Sequence, residues 1–448
     1  MHREHDLLSG SIAGTLARLA LPNLFAVLSL LLYHLTDTFF ISRLGTQPLA
    51  ALSLTFPVTL VVSSVALGLG AGMSAQLGRL LGEGDRAQGR QFVTHGLLLT
   101  IVIVTLFAIG GALTIDPLFR LLGADDALLG LVHDYMLVWY LGIGFLVLPM
   151  VGNQALRATG NTFTPALVTA VAALVNAILD PLLIFGIGPF PRLEMQGAAI
   201  ATVLSWILTF VVALYMLTAR HNLLARLKLD RLRAHWRLML HIARPATLSN
   251  LLNPLANAVL IAMLARMDTH AVAAFGAGTR IESLLLILVT ALCGALTPFI
   301  AQNLGAGQTD RAARALMGSL HSVLLAQLAI YLVLWPLAPH LASLFSTDGT
   351  VTHYLTQYLR WVPAAYGALG VVILLAMSLN AYHRPMSALG LNLSRLGLLL
   401  LPGAWLGSQW VGVEGIFIAI TLANLLMGAA CYLLARQLTE PSLAPLLR

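Results

Sequence analysis

Two aspartates stand where the surrounding residues leave no room for water. Asp37 lies in the apolar run 16–40 and Asp180 in the apolar run 165–187. A carboxylate at membrane depth costs about 2.5–3.5 kcal/mol even on the lenient insertion scale, so both positions point to ion handling. Their neighbours are polar at helical spacing. Tyr33 precedes Asp37 by four residues, Asn176 precedes Asp180 by four, and Ala198 precedes Thr202 by four, so each pair shares a helix face. Pro181 cannot donate to the carbonyl of Ala177, which frees a backbone oxygen within a turn of Asp180. Such an oxygen-rich set suits a monovalent cation, and two close carboxylates would also hold a proton. A helix-packing hydrogen-bond cluster is the other reading, although Ser, Thr or Asn would serve packing without the charge.

The elements that must carry these groups follow from composition. Of 448 residues, 58% are hydrophobic and 10% charged, against roughly 25% charged in soluble domains. The chain is therefore expected to be an all-α membrane protein. About twelve runs are long enough to cross some 30 Å of hydrocarbon: 16–42, 51–78, 92–114, 131–155, 163–187, 196–218, 241–265, 272–300, 316–338, 354–381, 386–407 and 413–435. Short alternating strands of the barrel type are missing. The first run reads as a span and not as a removable signal, because it is too long and lacks a small-residue cleavage site.

The net charge of +7 marks topology more than nucleic acid, since the cations do not gather on one soluble face. With a cytoplasmic N-terminus, eighteen of the 25 Lys and Arg residues fall inside, five outside, and Arg280 and Arg395 within spans. That bias places both termini inside, and a bacterial-type cytoplasmic (inner) membrane is the expected location. By depth, Asp37 lies about 9 Å before the outer end of the first span, Asp180 about 10 Å before that of the fifth, and Thr202 about 9 Å into the sixth. One layer could hold all three.

The chain is written twice. Pro22 falls on Pro245, Ala50 on Ala273 and Gly82 on Gly305, and the segment 82–90 answers 305–314 after a two-residue insertion. Asn153 ahead of Arg157 is matched by Asn380 ahead of Arg384. Six spans followed by six more predict two six-helix lobes related by a pseudo-two-fold axis along the membrane normal. We assign 1–219 to the N-terminal lobe, 220–240 to an Arg-rich cytoplasmic connection, and 241–448 to the C-terminal lobe. The acids are not copied: Asp37 aligns with Leu260, and Asp180 falls near Pro402.

These features resemble the multidrug and toxic-compound extrusion (MATE) transporters over nearly the whole chain. The resemblance rests on the duplicated lobes, the Gly-rich inner loops with Asp-Arg-Ala, and the stretch Asn153-Gln-Ala-Leu-Arg-Ala-Thr-Gly-Asn161. Pro22 with Asp37, and Asn176-Ala-Ile-Leu-Asp180-Pro181, are similar to the DinF-type branch. That resemblance implies a proton- or sodium-responsive site at Tyr33, Asp37, Asn176, Asp180 and Thr202, with Asn153 at the substrate cavity. If the ion is sodium, Asp37, Asn176, Asp180 and Thr202 are its expected ligands. It further implies a monomeric antiporter that exports drug-like, often cationic and amphipathic compounds. Pro22 is expected to act as a hinge. The branch relying on a glutamate in the seventh span is not matched, since Asn250, Asn253 and Asn257 stand there with no acid.

In the second lobe, Glu282 and Arg395 reach mid-membrane depth, and an ion pair between them is the expected arrangement, with substrate contact as the alternative. No Gly-x-x-x-x-Gly-Lys-Ser/Thr loop occurs, so an ion gradient must supply the energy. Neither zinc-ligand spacing nor a nucleophile elbow is present; no cofactor is implied, and an enzyme is not expected. The rival transporter reading is a lipid-linked oligosaccharide flippase, which would be expected to line its cavity with several basic residues.

Overall fold

The computed structural model describes residues 7–439, and the regular structure within them is all helical. In order, the helices are α1 (Ile12–Ser42), α2 (Thr46–Gly82), α3 (Arg86–Leu113), the short α4 (Ile115–Leu121), α5 (Asp126–Ala158), α6 (Phe163–Phe185), α7 (Glu194–Tyr215) and α8 (Leu232–Ala265). Then come α9 (Thr269–Leu285), α10 (Ile287–Gly305), α11 (Thr309–Phe345), α12 (Gly349–Trp361), α13 (Tyr366–Ala381), α14 (Pro385–Leu393), α15 (Leu401–Trp410) and α16 (Val413–Thr439). They supply twelve segments long and apolar enough to cross a membrane. Arg3 and Arg448, counted among the inner cations, lie outside the described residues.

The chain divides into two compact units. One holds Leu19–Thr247, and the other holds Leu7–Arg18 with the chain from Leu248 onward. The first half of α8 thus belongs to the first unit, where Ile242 and Ala246 pack on Ala71 and Ala75 of α2. Small residues permit this: a Cβ on Gly72 would come within 2.8 Å of the Met239 carbonyl oxygen. Residues 232–240, expected in the connection, are the opening turns of α8, while 222–228 run irregularly. That irregular stretch is tied to α3 through Arg90, which donates to the carbonyl of Leu224 at 3.0 Å and to Asn222 at 2.8 Å.

Besides α7, which runs into a π-helical turn at Met216–Arg220, three expected spans are not continuous α-helices. The expected run 272–300 is broken at Leu286 into α9 and α10. A broken helix exposes a carbonyl that lipid cannot satisfy, and Gln327 of α11 donates to Leu285 O at 2.9 Å to meet that need. A 3-10 turn at Val362–Ala365 separates α12 from α13, with Thr421 donating to Trp361 O at 2.9 Å. Ser394–Leu400 form a π-helical turn between α14 and α15. Pro402, which has no N–H for the ordinary helical bond, sits just beyond it.

Candidate ion and substrate site

The first unit brings the expected polar residues into one buried cluster. Asn176 and Asp180 on α6 are fully buried, Thr202 on α7 is 3% exposed, and Asp37 on α1 is 8% exposed. Their approach is set by small residues. A Cβ on Gly197 would stand 2.5 Å from the carbonyl oxygen of Leu183, so α7 lies against the α6 backbone one turn from Asp180. Ala198, with no polar side-chain atom, is wholly buried beside this crossing and serves closeness rather than ligation. Next to the carboxylates, Phe40 of α1 meets Phe185 of α6 edge-on, ring centroids 6.3 Å apart.

Hydrogen bonding in the cluster is incomplete. Asn176 Nδ2 donates to Asp180 Oδ1 at 3.1 Å. Five other oxygens, Tyr33 Oη, Asp37 Oδ1, Asn176 Oδ1, Asp180 Oδ2 and Thr202 Oγ1, are buried with no hydrogen-bond partner among the described residues. The Asp37 and Asp180 charges interact, and the Tyr33 hydroxyl faces Thr202 and Ser205. An inventory of available protons explains the shortfall. Two carboxylates present four acceptor oxygens, while Ser205 already donates to the Thr202 carbonyl at 2.7 Å. Acceptors outnumber donors, and a proton or a small cation redresses that balance.

Two members were not foreseen. Ser205 follows Thr202 by three residues and so shares its face, a spacing that would have found it. Tyr135 on α5, 4% exposed, has its hydroxyl within electrostatic range of Asp37, Tyr33 and Asp180. No periodicity distinguishes it from other tyrosines. Asn153 lies farther along α5, partly open, with its Oδ1 unpartnered. Pro22 is accommodated inside the continuous helix α1.

The second unit corrects one expectation. Glu282 and Arg395 form no direct ion pair. Glu282 instead accepts from Tyr358 Oη at 2.8 Å and Tyr366 Oη at 3.2 Å. Arg395, on the π-helical turn, donates to Asn424 Oδ1 at 2.9 Å and to Asn253 Oδ1. Neutral dipoles thus solvate each charge separately, while the two still act on each other at longer range. Arg395→Leu strands two amide oxygens and is expected to cost about 1–3 kcal/mol. Adding Glu282→Gln should leave the two losses additive within about 0.5 kcal/mol, measured by thermal unfolding in detergent. Recovery of most of the loss in the double variant would restore the direct pair.

The MatE family model matches residues 22–182 and 245–406. A Shewanella oneidensis protein named FAD transporter is 55% identical over 443 residues, covering 98% of both chains. The Staphylococcus aureus multidrug export protein MepA is 25% identical, covering 94% of this chain and 93% of its own. Among solved structures, the Vibrio cholerae MATE transporter VcmN in the bent form superposes with a TM-score of 0.92 at 31% identity, covering 97% of this chain and 98% of that one.

Proposed function

Because the chain belongs to the MatE family of multidrug and toxic-compound extrusion transporters, we propose that it is an ion-coupled antiporter exporting FAD or a closely related phosphate-bearing flavin. The observation that carries the coupling is the set of five unpartnered oxygens around Asp37 and Asp180. A proton or sodium ion entering that set lowers the cost of two buried carboxylates, and its departure restores it. Ion occupancy therefore differs in free energy between states that expose the cluster and states that bury it, which is the requirement for driving a conformational cycle. Tyr33, Asn176 and Thr202 orient the ion; Tyr135 and Ser205 close the pocket.

The substrate assignment is supported by the 55% identity to the protein named FAD transporter across 98% of both chains. Export of drug-like cations is the second reading, favoured by the multidrug relatives at 25% identity. The working unit is a monomer in the cytoplasmic membrane with both termini inside, and Pro22 is the hinge of α1. Everted membrane vesicles should accumulate FAD when a proton or a sodium gradient, high side in the lumen, is imposed separately. Accumulation of ethidium but not FAD would move the substrate to cationic drugs. Accumulation indifferent to both gradients would overturn the coupling.

A further inference from the structure

Arg157, in the last turn of α5, is a charge that takes no part in the carboxylate cluster. Its Nε is buried with no hydrogen-bond partner, its guanidinium makes no ion pair with a described residue, and no carboxylate acts on it. Other buried or half-buried arginines are provided for: Arg395 has two amides, and Arg90 has the carbonyl of Leu224. A half-buried guanidinium without a counter-charge is expensive unless an anion visits it.

The face on which Arg157 stands suggests what that anion is attached to. Leu146, Met150, Asn153, Gln154 and Arg157 are all partly open. Their spacing of four, seven, eight and eleven residues from Leu146 places them on one side of α5. Gln154 is held against α2, where a Cβ on Gly70 would meet its Cγ at 2.8 Å. Asn153 Oδ1 has no donor. The stripe therefore passes from an aliphatic and thioether surface, through a free amide oxygen, to a free guanidinium, with about 10 Å between Met150 and Arg157. Methionine adapts to flat rings, and the guanidinium fork matches phosphate oxygens.

We infer that this face of α5 is a substrate subsite in which Arg157 takes the phosphate of an amphipathic aromatic anion while Leu146 and Met150 take its ring. The inference rests on the substrate reading above and adds to it the residue that distinguishes a phosphorylated flavin from an uncharged one. Asn153 bonds a donor of the ring or its side chain between the two ends. A lipid headgroup at the inner surface offers the same phosphate chemistry, so the test must separate the two sources.

Equilibrium binding of FAD, FMN and riboflavin, read by flavin fluorescence, would be measured on purified protein in phosphate-free maltoside detergent. Arg157→Gln should weaken FAD and FMN by about ten- to a hundredfold and leave riboflavin, which lacks phosphate, unchanged. Arg157→Lys keeps the charge without the fork and should fall between. Unfolding temperatures of the variants check that the fold is intact. Should the wild type bind no flavin yet be stabilised by inorganic pyrophosphate in an Arg157-dependent way, phosphate recognition stands and the flavin assignment fails. Equal losses for riboflavin and FAD, unchanged FAD binding in Arg157→Gln, or dependence on Arg157 seen only with added phosphatidylglycerol would each overturn the subsite.

Discussion

Replacing either Asp37 or Asp180 by asparagine is expected to reduce gradient-driven export to background while leaving the protein folded and inserted. The substitution conserves volume and removes only the ionisable oxygen. At position 180 the bond from Asn176 Nδ2 can persist to the amide carbonyl, because Oδ1 is the acceptor in the native site. What disappears is the ability to exchange a counter-charge in the layer where Asp180 Oδ2 and Asp37 Oδ1 lack partners. Burial without charge costs less than burial with it, so the unfolding temperature should hold or rise. Export from proteoliposomes at near wild-type rate in either variant would remove the coupling role from that residue.

The second large effect concerns stability. Gly407 of α15 and Gly415 of α16 face each other so closely that a Cβ on Gly415 would stand 2.0 Å from the Gly407 carbonyl oxygen, and one on Gly407 would stand 2.4 Å from that of Gly415. Both obstacles are backbone and cannot rotate away. Gly415→Val must therefore push the two helices apart, at a cost on the order of 3 kcal/mol, toward the upper end of overpacking. Glu414, which anchors the start of α16 by accepting from Trp361 Nε1 at 2.7 Å and Gln357 Nε2 at 3.1 Å, would lose its register. Gly276→Ala is the matched control: its Cβ would meet nothing within 4 Å, and alanine favours a helix. A Gly415→Val protein melting like the control would show that the helices tolerate separation.

Much of the candidate site was legible because a carboxylate in an apolar run is conspicuous and because Asn176 and Tyr33 sit one helical turn from the acids they accompany. Thr202 came from the same depth argument. Tyr135 escaped it, since a phenol inside a membrane helix is unremarkable until α5 is folded against α7. The breaks at Leu286 and Val362 also escaped, because composition stays apolar across them and their satisfaction comes from Gln327 and Thr421, distant in sequence. Glu282 and Arg395 misled for a related reason. Opposite charges at similar depth suggest a pair, whereas two phenols and two amides supplied by neighbouring helices are visible only in three dimensions.

That ion occupancy at Asp37 and Asp180 is coupled to substrate binding on the same chain is tested most directly by counting ions released when substrate binds. Purified protein in weakly buffered detergent solution would be titrated with FAD while proton release is followed with a pH indicator and sodium release with a sodium-selective electrode. The wild type is expected to release one of the two ions, and Asp37→Asn and Asp180→Asn are expected to lose that release although both variants still bind FAD. Undiminished release in both variants, or binding by the wild type with no release of either ion, would contradict it.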